Sequence, residues 1–235
     1  YSLVEGYHFQ SLRSTDDQQE IPIVAPKLDY NFVGDTNHDG GRATLDLNLQ
    51  ALTRDIGADS RRLSVTSGWQ QPYFGRLGDI WTLLGTVQSD LYHVNEVSVP
   101  NRSGDASGFT GRIFPQASLE WRHPLVRSVG GTHQFVEPIS SIVVAPYGGN
   151  PNDVPNEDSR VFEFDDTNLF KPSRFAGKDR VEGGQRLNYG VKLGAFGQGG
   201  SSSTAFIGQS YRFRRDALFD PESGLEKNLS DIVGR

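Results

Sequence analysis

Unbroken alternation of apolar and polar residues is the feature that most restricts what this chain can fold into. Leu45, Leu47, Leu49 and Ala51 alternate with Thr44, Asp46, Asn48 and Gln50. The same period sets Leu63, Val65, Ser67 and Trp69 against Arg62, Ser64, Thr66 and Gly68, and Leu83, Gly85, Val87 and Leu91 against Thr82, Thr86, Gln88 and Asp90. Ile113, Ala117, Leu119 and Trp121 oppose Arg112, Gln116, Ser118, Glu120 and Arg122, and Ala205, Ile207 and Tyr211 oppose Thr204, Gly208, Ser210 and Arg212. Successive side chains of a strand point to opposite faces, so each run reads as a strand with one greasy and one hydrophilic row. The longest run covers residues 180–195, with Arg180, Glu182, Gly184, Arg186, Asn188, Gly190 and Lys192 on one face. Weaker strands are expected over Tyr1–Leu12, over Ile21–Val33, where Pro22 and Pro26 each remove a ladder donor, and over Gln134–Ala145, whose facing the pattern leaves open.

These nine strands, with hardly a helix candidate between them, predict an all-β antiparallel up-and-down meander. Their length of about ten residues exceeds the ~5–6 typical of soluble sheets and matches the ~9–11 of a tilted membrane-spanning strand. Two further patterns point the same way. Short connections (GDTNHDGG, FGRLG, PLVRSVGG, FGQGGSSS) follow alternate strands, while the long ones fall at the other end, as in outer-membrane barrels. Trp69, Trp81 and Trp121 gather with Tyr30, Phe32 and Tyr73 at the short-turn rim of the apolar face, and Tyr211 and Phe213 at the opposite rim, as aromatic girdles do. The chain is therefore expected to form a curved open sheet belonging to a large transmembrane β-barrel, one domain over residues 1–235 that is incomplete at both ends. No apolar run is long enough for a spanning helix, and hydrophobic residues make up only 35%, which a barrel tolerates because only alternate positions meet lipid. Acidic residues outnumber basic ones, 29 to 23, without a basic cluster, so nucleic acid is not an expected partner.

Constellations for chemistry are sparse. Asp35 to Asp46 (DTNHDGGRATLD) places oxygen ligands and a glycine at calcium-loop spacing, but Asp46 already belongs to a strand row, and an Asn/Asp/Gly turn explains the run as well. The histidines lack metal-ligand spacing, no GxSxG elbow exists, and the adjacent Asp165 and Asp166 are expected to pair with Arg174 or Arg180 in a structured loop. Neither an enzyme, a cofactor nor a metal is expected. The wall pattern alone leaves open a general porin or receptor barrel, or a soluble surface β-domain binding calcium or sugar.

The stretch from Phe164 to Gly190 carries DDTNLF and then RFAGKDRVEGGQRLNYG. With HQFVEPISSIVVAPYGGNP before it, and APKLDYNF and GWQQPYFGRLGDIW upstream, it resembles the LptD (OstA) family of outer-membrane lipopolysaccharide-assembly proteins. The resemblance implies a barrel of about twenty-six strands in the outer membrane of a Gram-negative bacterium, closed around a plug lipoprotein of the LptE type. It also implies a periplasmic jellyroll that receives lipopolysaccharide from bridge proteins. Jellyroll, terminal strands and lateral opening would lie outside this chain, which would form a central section of the wall. The motif residues that this implies are Asp165, Asp166, Thr167, Asn168, Leu169, Phe170, Arg174, Phe175, Gly177, Asp179, Arg180, Gly183, Gly184, Asn188 and Gly190. On the polar rows, Arg62, Arg112, Arg122, Arg186 and Lys192 are expected to face the lumen, and the loop from Tyr147 to Lys178 to fold over the outer mouth.

Overall fold

A computed structural model describes residues 1–13, 15, 17–99, 104–159, 163–215 and 218–235. Eleven strands form a single antiparallel sheet: β1 (Ser2–His8), β2 (Ile23–Val33), β3 (Arg42–Thr53), β4 (Asp59–Phe74), β5 (Ile80–Val97), β6 (Ala106–Arg122), β7 (Leu125–Val129), β8 (Thr132–Val144), β9 (Gln185–Gly197), β10 (Ser202–Arg212) and β11 (Val233–Gly234). Each pairs with its neighbour in sequence, except that β6 and β7 both pair with β8. The sheet does not close on itself: β1 lies at one edge and β11 at the other.

Two of the eleven strands were not expected. The PLVRSVGG stretch, read from the sequence as a turn, contains β7, which carries the line of β6 onward past Pro124 and pairs Leu125–Val129 with Val136–Thr132. β11 is a two-residue pairing of Val233 and Gly234 with Gly208 and Ile207. The run read as one strand from residue 180 pairs only from Gln185. Arg180, Val181, Glu182, Gly183 and Gly184 are loop, although they alternate as a strand would. Gly184 has φ +87, a left-handed value that a strand residue does not adopt, and the chain turns there into β9. The β5–β6 connection is also shorter than expected, covering residues 98–105, because both strands run on beyond the alternation.

Loops still sort by end. Residues 34–41, 75–79 and 198–201 and the β7–β8 hairpin lie at one end, and the long connections 145–184 and 213–232 at the other. Residues 54–58 are a short turn at that second end.

The register aligns the greasy rows across the whole sheet: Leu28, Leu49, Leu63 and Leu91 are consecutive partners, as are Leu83, Leu119, Ile142, Leu187 and Tyr211. These rows are bare, with Leu91, Ile113 and Ile207 at 50%, 76% and 55% exposure. Asn48, Arg62, Ser64, Asp90, Arg112, Asn188, Ser210 and Arg212 on the other face are buried. The facing of β8 is now settled: Val136, Ile142 and Val144 join the exposed apolar row, while Ile139 and Val143 point to the buried side. Trp81 and Trp121 are cross-strand partners with centroids 6.4 Å apart, and Tyr73 pairs with Trp81, so the aromatic rim is one continuous strip.

A soluble sandwich buries its apolar rows against a second sheet; this sheet buries its polar rows and leaves the apolar ones uncovered. Replacing Leu47 or Val191 by Arg in the full-length protein is expected to cost about 2–4 kcal/mol if those rows sit near the bilayer midplane. Urea titration of the folded barrel in lipid vesicles measures it, and an unchanged midpoint would contradict the outward assignment.

Candidate functional site

What covers the polar face is the connection 145–184, and the covering is built from charge pairs. Arg62 on β4 is 6% exposed. Its Nη1 donates to Asp158 Oδ2 and Asp179 Oδ1, both at 2.6 Å. Its Nη2 donates to Asn48 Oδ1 at 2.8 Å and to Gln50 Oε1 at 3.0 Å. Asp179 also accepts the Tyr92 hydroxyl at 3.0 Å and the backbone N–H groups of Glu157 and Asp158. Asp158 in turn accepts the N–H groups of Lys178 and Asp179 through Oδ1, each at 3.0 Å. Two loop segments distant in sequence are thereby tied to each other and to one strand arginine.

Arg112 on β6 donates from Nε to Asp90 at 2.6 Å, from Nη1 to the Asp179 carbonyl at 2.8 Å, and from Nη2 to the Lys178 carbonyl. Asp90 is completed by Ser64 and Gln88. Small apolar contacts support these polar ties: Val154 packs on Tyr92 and Val94, and Val181 on Phe114 and Ala145. Burying such a valine contributes on the order of 2 kcal/mol.

A second cluster surrounds Glu182, which is 0% exposed. Its Oε1 lies 2.5 Å from Arg212 Nη2, 3.3 Å from Arg174 Nη1 and 3.5 Å from Arg186 Nη1. Arg174 also donates from Nη2 to Asn188 Oδ1 at 2.8 Å and to Ser210 Oγ at 2.7 Å. Arg186 donates from Nη2 to the carbonyls of Lys171 and Pro172. Aromatic faces cover two of the guanidiniums, Phe164 over Arg174 at 5.1 Å and Phe219 over Arg212 at 4.6 Å, and Phe175 stacks on Phe219 at 5.3 Å.

The DDTNLF turn does different work. Asp165 Oδ1 accepts from the N–H and hydroxyl of Thr167 and from the Asn168 N–H, while Asn168 donates to the Glu163 carbonyl. This self-closed turn presses Leu169, 0% exposed, onto β10, and places Phe170 edge-on to Phe206 at 6.2 Å. A Cβ at Gly208 would stand 2.5 Å from Leu169, so only glycine admits the contact. Gly183 is held as closely, 2.5 Å from the Pro146 carbonyl oxygen to the position a Cβ would take. Gly177 lies against Asp158, and Gly190 against Phe206.

Several expected pairings are replaced. Asp165 binds its own turn and Asp166 reaches Arg235 at 3.4 Å, so neither meets Arg174 or Arg180. Arg180 points instead to the Val154 carbonyl at 3.5 Å. Adjacent acids on an extended chain diverge, and a local Asx-type turn satisfied Asp165 first. The loop engages Arg62, Arg112 and Arg186. Arg122 pairs with Glu137 and Glu120 near the turn end, and Lys192 lies 5.8 Å over the Phe135 ring. In the Asp35–Asp46 turn, Asn37 Oδ1 accepts from the Asp39 and Gly41 N–H groups, and Asp46 is taken by Asn31 across β2–β3. Among the described residues no three His, Asp or Glu groups converge as metal ligands. Arg160, Val161 and Phe162, within the loop from Tyr147 to Lys178, lie outside the described residues.

Sequence reasoning missed Asp158 and did not single out Glu182, Asp90 or Tyr92. The Arg-x-Glu spacing at Arg180–Glu182 was visible, but it indicated a strand row rather than an acceptor for arginines on three separate segments.

The fold and the loop together define a class: a section of outer-membrane-type barrel wall whose hydrophilic side is capped by its own longest connection. Comparison with known proteins is specific. The model of the LptD family, described as LPS transport system D, matches residues 1–235, and the chain belongs to that family. It is 26% identical over 221 residues to the LPS-assembly protein LptD of Neisseria gonorrhoeae, covering 89% of this chain and 26% of that relative. Against the LPS-assembly protein LptD of Acinetobacter baylyi it is 33% identical over 126 residues, 52% of this chain and 15% of the relative. The Acinetobacter baumannii protein of the same name is 36% identical over 125 residues. The chain thus spans about a quarter or less of the length of these relatives.

Protonation tightens the account of the loop. Burial opposes the charge on Asp158, but Arg62 and the Lys178 and Asp179 N–H groups outweigh it and hold the carboxyl at about 2. Burial raises Asp179, against the pull of Arg62 and with the Asp158 charge adding to the rise. Because the folded pKa of Asp158 is depressed, its contribution is complete above the ordinary carboxylate range and vanishes as pH falls toward 2. Relative to Asp158→Asn, the wild-type protein is expected to protect the amides of residues 176–182 from hydrogen exchange about tenfold better at pH 6. The advantage should vanish near pH 2; an equal gap at both pH values would show that Asp158 does not act through its charge.

Proposed function

We propose that this chain forms part of the wall and inner cap of an outer-membrane barrel that carries lipopolysaccharide to the outer leaflet. The observation that carries the reading is the inverted burial of the sheet, bare apolar rows and covered polar rows, in a chain of the LptD family. The relatives are named for lipopolysaccharide assembly, and a wall of this facing supplies what such a barrel needs: an outer surface miscible with lipid and a hydrated inner one. In this reading the turn end points to the periplasm and the capping loop sits at the outer mouth, where it blocks open diffusion.

The inner rows below the cap carry the contact positions. Thr66, Ser118, Arg122 and Lys192 lie on the polar face, and none of their side chains is tied to the described residues of the loop. Arg122 and Lys192 are the cations proposed to meet lipid phosphates or a plug lipoprotein of the LptE type. Arg62, Arg112 and Arg186 hold the cap instead. Periplasmic bridge proteins would deliver the lipid through a jellyroll domain elsewhere in the full-length protein. No catalytic step and no cofactor belong to this function.

Photo-crosslinking side chains placed at Thr66, Ser118 and Lys192 of the full-length protein test it in growing cells. Lipopolysaccharide adducts are expected at inward positions while export runs, and should disappear when supply from the periplasmic side is cut. Cells that export lipopolysaccharide through this protein but yield no inward adduct would refute the lumenal path.

A further inference from the structure

The Glu182 cluster holds more positive charge than it neutralises. Arg174, Arg186 and Arg212 are 4%, 1% and 4% exposed, and among the described residues the only carboxylate they share is Glu182. Their neutral partners, Asn188, Ser210 and the Lys171 and Pro172 carbonyls, supply dipoles but no charge. Four buried nitrogens, Arg174 Nε, Arg186 Nε, Arg186 Nη1 and Arg212 Nη1, have no hydrogen-bond acceptor among the described residues. An uncompensated buried cation and an unmet buried donor are each costly, and here two surplus charges coincide with four unmet donors. Burial draws Arg174 down to about 9, while Glu182 works to keep its proton, so the group stays charged at neutral pH.

We propose that Arg174, Arg186 and Arg212 together form an anion site that takes a phosphate-type oxyanion, free or as part of a lipid headgroup, when the loop closes. Three guanidinium forks suit an oxyanion better than a halide, because planar paired N–H groups match the spacing of its oxygens. Glu182 competes with the incoming anion for the same three guanidiniums. The position also fits capture during closure: Arg174 and Glu182 belong to the loop, Arg186 and Arg212 to β9 and β10, so the site exists only when the two meet. The inference rests on the loop geometry alone and stands apart from the lipopolysaccharide reading.

Equilibrium dialysis of the detergent-solubilised full-length protein against radiolabelled inorganic phosphate, at fixed ionic strength set with chloride, provides the test. A parallel arm uses micelles of a phosphorylated lipid and of its dephosphorylated counterpart. One phosphate per chain is expected, with binding about tenfold weaker in Arg186→Gln. In Glu182→Gln, where the competing carboxylate is gone, binding should be about tenfold tighter, and phosphate should restore the protease resistance of the loop lost by that substitution. Binding only of the phosphorylated lipid, with the same response to the two substitutions, would identify the headgroup as the source. No binding to wild type or to Glu182→Gln in either arm overturns the site, as does phosphate binding that neither substitution changes. The Glu182→Gln arm keeps the outcome decisive should Arg186→Gln fail to assemble.

Discussion

The ion pairs of Arg62 with Asp158 and Asp179 are the constraint on which the rest of the structure depends. Without them the connection 145–184 would lose its tie to β4, and the Asp158 and Asp179 segments would be held to the sheet only through Arg112, Tyr92 and the contacts beyond. With them, two loop segments twenty-one residues apart are fixed to one guanidinium, and each acid is further fixed by backbone N–H groups. Such buried pairs contribute little net stability compared with a hydrophobic filling, but breaking one leaves a stranded charge. Their effect is to make one arrangement of a long loop far better than its competitors.

That arrangement inverts the usual division of labour in a sheet. In a soluble β-protein the apolar rows hold two layers together and the polar rows are dispensable. Here no second layer among the described residues covers the apolar rows of the single sheet, so hydrophobic packing between layers cannot hold the cap. The cap is held by charge, by hydrogen bonds to backbone, and by small apolar contacts at Val154, Val181 and Leu169. A surface meant for hydrocarbon leaves the protein only its hydrophilic side on which to build specific structure.

The facing of the strands was legible because a period of two is a local signal, visible within eight residues such as Thr44–Ala51. The same signal misled at residues 180–184, where an extended but unpaired chain alternates as a strand does; only the ladder, which is non-local, separates the two. It was silent at Gln134–Ala145 because Ile139 and Val143 are apolar on the capped face. The motif residues were legible as a set through resemblance, but their partners were not. Nothing near Arg62 in sequence announces Asp179, 117 positions away, and Asp165 looked a better match for Arg174 than Glu182 until the local turn was seen to satisfy it. Beyond a few residues, pairing is decided by how the loop folds.

The spacing of Asp179 and Glu182 explains why arginine recurs on the strands beneath them. Asp179 is bound to β4 and β5 through Arg62 and Tyr92, and Glu182 to β9 and β10 through Arg186 and Arg212. Following the order β4, β5, β6, β8, β9, four inter-strand steps separate the outer pair, about 19 Å along the sheet. Three peptide units join the two acids and reach at most about 11 Å. The loop alone therefore cannot bring its carboxylates over both strands, and the gap must be crossed by long side chains leaning inward from each side. Arginine is long enough, stays charged when buried, and offers several donors to divide between a carboxylate and neighbouring amides or carbonyls. Lysine has the reach but only three donors on one nitrogen, too few for the five hydrogen bonds that Arg62 makes to Asn48, Gln50, Asp158 and Asp179. The short acidic segment and the long basic side chains are thus two halves of one strap across the inner face of the wall.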